Sequence, residues 1–212
     1  GSGEMRADEF RALFAQAAGL GVSVVALAGG DPLTRPEVLD VAGEFPQLTF
    51  VVVTNGSLFD PHVLDTFTRH RHIIPVLSLE GMEAATDERR GCGVFARAHA
   101  AMEALRSRGL FYGASITVTR VNFAQVTSRM FVRDLVSRGC RLFFYVDYVP
   151  IEAGAERLAP SPAQRSAETL TMLLMRREFP ALFLSASAGE RAYGGCPAAG
   201  RGFVHEVGRR AA

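Results

Sequence analysis

Five apolar runs constrain this chain more than any other feature. They span residues 22–28, 48–53, 73–79, 112–119 and 141–149, and each is followed by a polar or glycine-rich corner and then by a helical pattern. Runs this short and this apolar fit strands, and strands that alternate with amphipathic helices form parallel sheets with right-handed crossovers. A doubly wound sheet and a partial barrel both satisfy the alternation, and periodicity does not separate them. No G-x-G-x-x-G follows any strand, so a dinucleotide-binding reading is weak.

The helices are bounded by recognisable signals. Residues 4–18 place Met5, Phe10, Leu13, Phe14 and Ala17 on one helical face. Thr34 and Glu37 have capping-box spacing with Pro36 between them, and predict a helix to about Phe45. Asp60-Pro61 and Ser161-Pro162 each place a cap residue before a first-turn proline. Residues 94–108 are helical, and Asn122 is expected to cap one helix running to about Arg138. Residues 80–93 are expected to form a polar loop with a short helical turn at 83–87. Run 22–28 is expected to be covered on both faces, Pro75 to sit at a strand start or a bulge, and 181–185 to form a short further strand.

Composition narrows the function classes. The chain has 212 residues, 48% of them hydrophobic, which suits a single domain with a large core. A formal net charge of +1 gives no electrostatic case for nucleic acid or for an anionic membrane, and no apolar run is long enough to span a bilayer. The three cysteines, Cys92, Cys140 and Cys196, are odd in number and widely spaced. They form no disulfide framework and no compact metal motif, which favours a reducing, cytoplasmic setting. Cys140 is expected in the core and Cys92 in a loop. His62 and His99 are expected at the surface or rim, and Arg69-His70-Arg71-His72 as a solvated helix end.

Candidate chemistry sits where runs end, because ligands of parallel α/β folds bind beyond the carboxyl ends of the strands. Gly29-Gly30-Asp31-Pro32-Leu33 follows the first run, and two glycines let a backbone approach a ligand closely. Thr54-Asn55-Gly56 follows the second and Ser78-Leu79-Glu80-Gly81 the third. Thr86–Phe95 then reads T-D-E-R-R-G-C-G-V-F, and Ser115–Asn122 reads S-I-T-V-T-R-V-N. Asp147 and Tyr148 end the fifth run with opposite facings. Asp31, Glu80 and Asp147 also suit acid–base or divalent-metal work in an unrelated barrel enzyme, and a non-catalytic α/β binding module is a further alternative.

Taken in this order, the corners resemble the radical S-adenosylmethionine (SAM) enzymes. Gly29–Leu33 resembles their G-G-E-P motif with Asp in place of Glu. Thr54-Asn55-Gly56 is similar to their T-N-G, Ser78–Gly81 to their S-L-D-G with Glu for Asp, and Thr86–Phe95 to their D-x-x-R-G-x-G-x-F segment. The resemblance implies an α/β fold, a partial (β/α)6 TIM-like barrel with parallel strands. It further implies that the first strand is missing, together with the C-x-x-x-C-x-x-C loop that binds a [4Fe–4S] cluster. That cluster's ligands would then lie outside this chain, which alone would be inactive. An unpaired apolar edge at 22–28 is expected to promote aggregation unless a helix or terminus covers it.

The reaction implied is reductive cleavage of SAM to a 5′-deoxyadenosyl radical that abstracts hydrogen from a substrate. An electron-donor protein and a small-molecule or peptide substrate are the implied partners. The cofactor-binding residues implied are Gly29, Gly30, Asp31 and Pro32 toward the methionine ammonium, Ser78 and Glu80 toward the ribose or carboxylate, and Arg90 toward the carboxylate, with Arg89 as its competitor. Thr117 would line the cavity. The barrel is placed at residues 1–185. Residues 186–212 resemble the start of a truncated SPASM-like extension, in which Cys196 is the candidate ligand of an auxiliary iron–sulfur cluster.

Overall fold

A computed structural model describes residues 5–150 and 154–185. The proposed extension, with Cys196, lies outside the described residues. Six strands are present among them: β1 (Val24–Leu27), β2 (Thr49–Thr54), β3 (Ile73–Leu79), β4 (Gly113–Val118), β5 (Leu142–Asp147) and β6 (Leu182–Ser185). All neighbours are parallel and the spatial order is β1-β2-β3-β4-β5-β6, the same as the chain order. A doubly wound sheet reverses direction at a switch point. This one never does, and it curls into a half-barrel. The order of the strands decides what their periodicity left open.

The strand register sorts the side chains into two faces. Phe50, Val52, Leu77, Ile116 and Tyr145 are buried against the helices, within one continuous core. Phe14 of α1 (Ala7–Gly19) anchors that helix by edge-on contact with Phe45 and Phe50, at ring distances of 5.8 and 4.8 Å. The opposite, concave face carries Val51, Val53, Ser115, Thr117, Phe144 and Val146, which are only partly buried. At the two flanks of this face, Val24 is 58% and Leu182 59% exposed.

Several boundaries differ from the sequence expectation. β1 is not covered on both faces: it alternates exposed and half-buried residues, because it lies at the sheet edge. Apolarity alone does not distinguish an edge strand from a central one. The Thr34/Glu37 capping box does not form. A 3-10 turn at Pro32–Thr34 intervenes, Thr34 Oγ1 donates to the Asp31 carbonyl, and α2 (Glu37–Gly43) starts after Pro36 with no side-chain cap. By contrast, the Asp60 cap of α3 (Pro61–Arg69) and the Ser161/Gln164 capping box of α8 (Pro162–Glu178) are both formed.

The loop expected at 80–93 holds a helix, α4 (Glu83–Arg90), before α5 (Val94–Ser107). The single helix expected at 122–138 is two, α6 (Phe123–Val126) and α7 (Arg129–Ser137). Thr127 Oγ1 turns back to the Phe123 carbonyl, and Ser128 Oγ accepts the Phe131 N–H as a fresh cap. Adjacent hydroxyls that compete with the backbone in this way break a helix without proline or glycine. Pro75 is the third residue of β3, and pairing with β4 begins only at Val76, so its missing donor removes no bond on that side.

Cys140 lies fully buried just before β5, and burial pushes its thiol up to about 12, whereas Cys92 is exposed. A thiol reacts as the thiolate. A variant keeping only Cys140 (Cys92→Ser with Cys196→Ser) is therefore expected to resist maleimide at pH 8 until denaturant is added, whereas one keeping only Cys92 reacts in native buffer. Labelling followed by mass spectrometry checks this.

Candidate functional site

Parallel strands end on one rim, so every sequence corner singled out above arrives at the same end of the half-barrel. The links between them are explicit. Asp31 ties the first corner to the second: its Oδ1 accepts the Leu33 N–H at 3.0 Å, and its Oδ2 accepts the Thr54 hydroxyl at 2.9 Å and the Asn55 N–H at 2.8 Å. Thr54 pairs in register with Leu77, and Ser78 with Ser115. Gly29, Gly30, Asp31, Pro32, Ser78, Glu80, Arg90 and Thr117 are thus brought to one rim and its adjoining concave face. Asp31 serves as a brace there, one carboxylate oxygen bonded within its own turn and the other to the corner after β2.

Gly29 and Gly30 present open backbone. Gly29 has φ +123°, a conformation that favours glycine. Gly30 has no such φ, and a Cβ built there meets nothing within 4 Å. Nothing in the protein itself therefore demands a glycine at 30.

Glu80 is the centre of the rim. It is 2% exposed, yet both its oxygens are paired: Arg89 Nη1 donates to Oε2, and Arg90 donates through Nε at 2.8 Å and Nη2 at 2.7 Å to Oε1. Its backbone is held as firmly. The Glu80 N–H donates to Thr86 Oγ1, whose own hydroxyl donates to the Gly81 carbonyl, and Asn122 Nδ2 donates to the Glu80 carbonyl at 2.7 Å. Gly81 makes the corner at φ +139°, where a Cβ would overlap Gln125 Oε1. That same oxygen accepts the Met82 N–H.

Asn122 is a residue that sequence reasoning assigned the wrong task. Its side chain does not cap the helix. It donates to the Glu80 and Thr117 carbonyls and accepts the Thr119 N–H, sewing the ends of β3 and β4 together. The available signal was Thr119-x-x-Asn122, a spacing that also fits a cap. Thr86 was likewise not singled out, although it is fully buried within the T-D-E-R-R segment.

That segment folds for a local reason. Asp87 accepts the Phe95 N–H at 2.8 Å and the Gly93 N–H at 2.6 Å, capping the start of α5 and turning α4 so that Arg89 and Arg90 reach Glu80. These backbone donors, Phe95 first, hold the Asp87 carboxyl below the usual range.

After β5 the two candidate side chains part as expected. Val146 pairs with Thr117 on the concave face, so Tyr148, two residues on, shares that face. Asp147 points to the helix side, where Arg165 of α8 donates to Oδ2 at 2.9 Å. Arg89 lies over the Tyr148 ring, 5.0 Å from its centroid.

Metal chemistry finds little support. Among the described residues no group of three His, Cys, Asp or Glu is placed to share an ion. Asp31, Glu80 and Asp147 are each held by different partners. Cys92 sits in the α4–α5 turn and Cys140 at the opposite end of the barrel, so the described cysteines do not fit an iron–sulfur cluster. His99 is half-buried: its Nε2 is shielded with no hydrogen-bond partner among the described residues, and burial lowers its pKa.

A half-barrel of consecutive parallel strands with this rim defines a class, the partial TIM-like barrels, and comparison with known proteins narrows it. The chain is 31% identical over 167 residues to the AdoMet-dependent heme synthase of Methanosarcina barkeri (strain Fusaro / DSM 804), covering 76% of this chain and 47% of that protein. It is 30% identical over 127 residues to the PqqA peptide cyclase of Gluconobacter oxydans (strain 621H), covering 58% of this chain and 36% of that protein. The chain thus spans less than half the length of either relative. No protein-family model matches it.

Among solved structures, Streptococcus suis SuiB bound to S-adenosylmethionine superposes with a TM-score of 0.71 at 19% identity, over 85% of this chain and 43% of that one. Native anSMEcpe with bound AdoMet and Cp18Cys peptide gives 0.64 at 12% identity, over 91% and 60%. These relatives and neighbours are radical SAM enzymes, and the chain is a radical SAM protein by sequence and fold.

The Asp87 cap gives a pH dependence with a definite sign. Its folded pKa lies below its unfolded value of about 3.9. Its contribution to stability is therefore present above that value and is lost as pH falls through the folded one. Thermal melts between pH 7 and pH 3 are expected to show Asp87→Asn less stable than the parent at pH 7, with the gap narrowing at the acid end.

Proposed function

We propose that this rim binds S-adenosylmethionine and that the concave face beside it receives the substrate of a radical SAM reaction. The observation that carries the reading is the open Gly29–Gly30 backbone, held by Asp31 on the same rim as Ser78 and Arg90. Unhindered carbonyls suit a ligand ammonium, which is a pure donor. Arg90 has spent Nε and Nη2 on Glu80, and its Nη1 has no partner among the described residues, leaving it able to meet the cofactor carboxylate. Ser78 is buried on the concave side with no side-chain partner among the described residues, placed to donate to a ribose or carboxylate oxygen.

The crystal structures of SuiB and anSMEcpe named above contain S-adenosylmethionine, which supports this reading. When bound beside a [4Fe–4S] cluster, that cofactor supplies a 5′-deoxyadenosyl radical. The described residues provide no ligand set for the cluster, and in this reading its cysteines lie outside them. What this chain contributes is a cofactor-holding rim, a largely apolar concave face and the charged network that fixes the rim.

A peptide is the favoured substrate class. SuiB has also been crystallised with its precursor peptide, and one sequence relative is a peptide cyclase. An open half-barrel face suits an extended segment better than a closed pocket would.

Calorimetric titration of the full-length, anaerobically purified gene product with S-adenosylmethionine tests the cofactor reading. Binding is expected, and Arg90→Met is expected to weaken it about 10-fold or more, the scale of one charge-assisted hydrogen bond. Absence of binding, or an affinity indifferent to Gly30→Val and Arg90→Met alike, refutes the assignment. Release of 5′-deoxyadenosine after reconstitution with iron and sulfide and subsequent reduction tests the chemistry.

A further inference from the structure

The rim carries one more cation than its buried acid requires. Glu80 is a single carboxylate, and Arg90 alone contacts it through two nitrogens. Arg89 is a second guanidinium on the same acid, donating only Nη1. Its Nε and Nη2 have no partner among the described residues, and its side chain is 40% exposed where that of Glu80 is 2%. A surface arginine with no task beyond solubility would lie in water. This one is drawn inward over Tyr148, a ring that the β4–β5 register places on the concave face. Asp147 cannot neutralise it, because that carboxylate turns to the helix side and is held by Arg165.

The geometry points to Arg89 as the residue that recognises an anionic group, a carboxylate, on the substrate. This rests on the reading that the concave face is the substrate side, and it assigns Arg89 a role separate from that of Arg90 at the cofactor. The concave face that Arg89 borders through Tyr148 carries Val53, Phe144 and Val146, with Ser78, Ser115 and Thr117 among its polar positions. The substrate it fits therefore has an apolar or aromatic body and an acidic group held at the mouth. For a peptide, that means an Asp or Glu side chain or a terminal carboxylate close to an apolar residue. A guanidinium held over an aromatic ring keeps in-plane donors for a planar acceptor, and its partial desolvation strengthens the pairing.

The test uses the full-length protein with saturating S-adenosylmethionine and two matched probes, 4-phenylbutyrate and 4-phenylbutanamide, with affinities measured by ligand-observed NMR titration. The carboxylate is expected to bind about 10-fold tighter than the amide. Arg89→Met is expected to abolish that preference while Arg90 still holds Glu80 through Oε1. Tyr148→Phe, which retains the ring, is expected to preserve it. Equal affinities, no binding of either probe, or a preference that survives Arg89→Met overturns the proposal. A merely structural role for Arg89 would shift the melting temperature and leave the acid-to-amide ratio unchanged. Calorimetry on the same samples separates the two readings. If S-adenosylmethionine fails to bind while the ratio still follows Arg89, the cofactor assignment falls and the anion site stands.

Discussion

A carboxylate buried at the mouth of a barrel is costly unless its charge is met, and Glu80 organises the rim because it is met completely. Two arginines take its oxygens, a threonine accepts its N–H, and an asparagine grips its carbonyl. Three of those partners come from α4 and the fourth, Asn122, from just beyond β4, so satisfying one residue fixes the end of β3, the helix after it and the end of β4 together. The corner at Gly81 is the backbone condition for this arrangement. Removing one arginine takes the donor from one Glu80 oxygen, whereas removing both would strand the whole buried charge.

Asp31 does for the first two corners what Glu80 does for the next two, with a different chemistry. It is half-buried and bonded only to neutral donors, a hydroxyl and two backbone N–H groups. The rim therefore has a rigid, uncharged-partner brace on one side and a dense charged cluster on the other. Between them lie open glycine backbone and a concave apolar face. A polar ligand at the edge and an apolar body in the hollow are what such a division of surfaces accommodates.

Much of this was legible in the chain itself. The five strand runs, the Asp60 and Ser161 caps and the clustering of corners at one rim follow from apolar runs and side-chain chemistry that act locally. The order of the strands did not, because nothing in a run such as 48–53 encodes which neighbour it pairs with. Two of the failures lie at expected helix starts. Thr34 turns back to the Asp31 carbonyl three residues earlier, and Asn122 reaches across to the Glu80 carbonyl that the tertiary fold brings near. The exposure of β1 was hidden for a related reason, since edge position is a property of the sheet and not of Val24–Leu27. The pairing of Arg89 and Arg90 on Glu80 crosses about ten residues and depends on α4, whose helix was expected to be only a turn.

Because spatial order repeats chain order, each strand–helix unit docks onto the one made just before it. No segment waits for a distant later one to complete its place in the sheet, so contacts can accumulate in the sequence in which a ribosome would deliver them. A sheet assembled this way grows like masonry laid course by course, and its outermost courses, β1 and β6, are the ones supported on a single side.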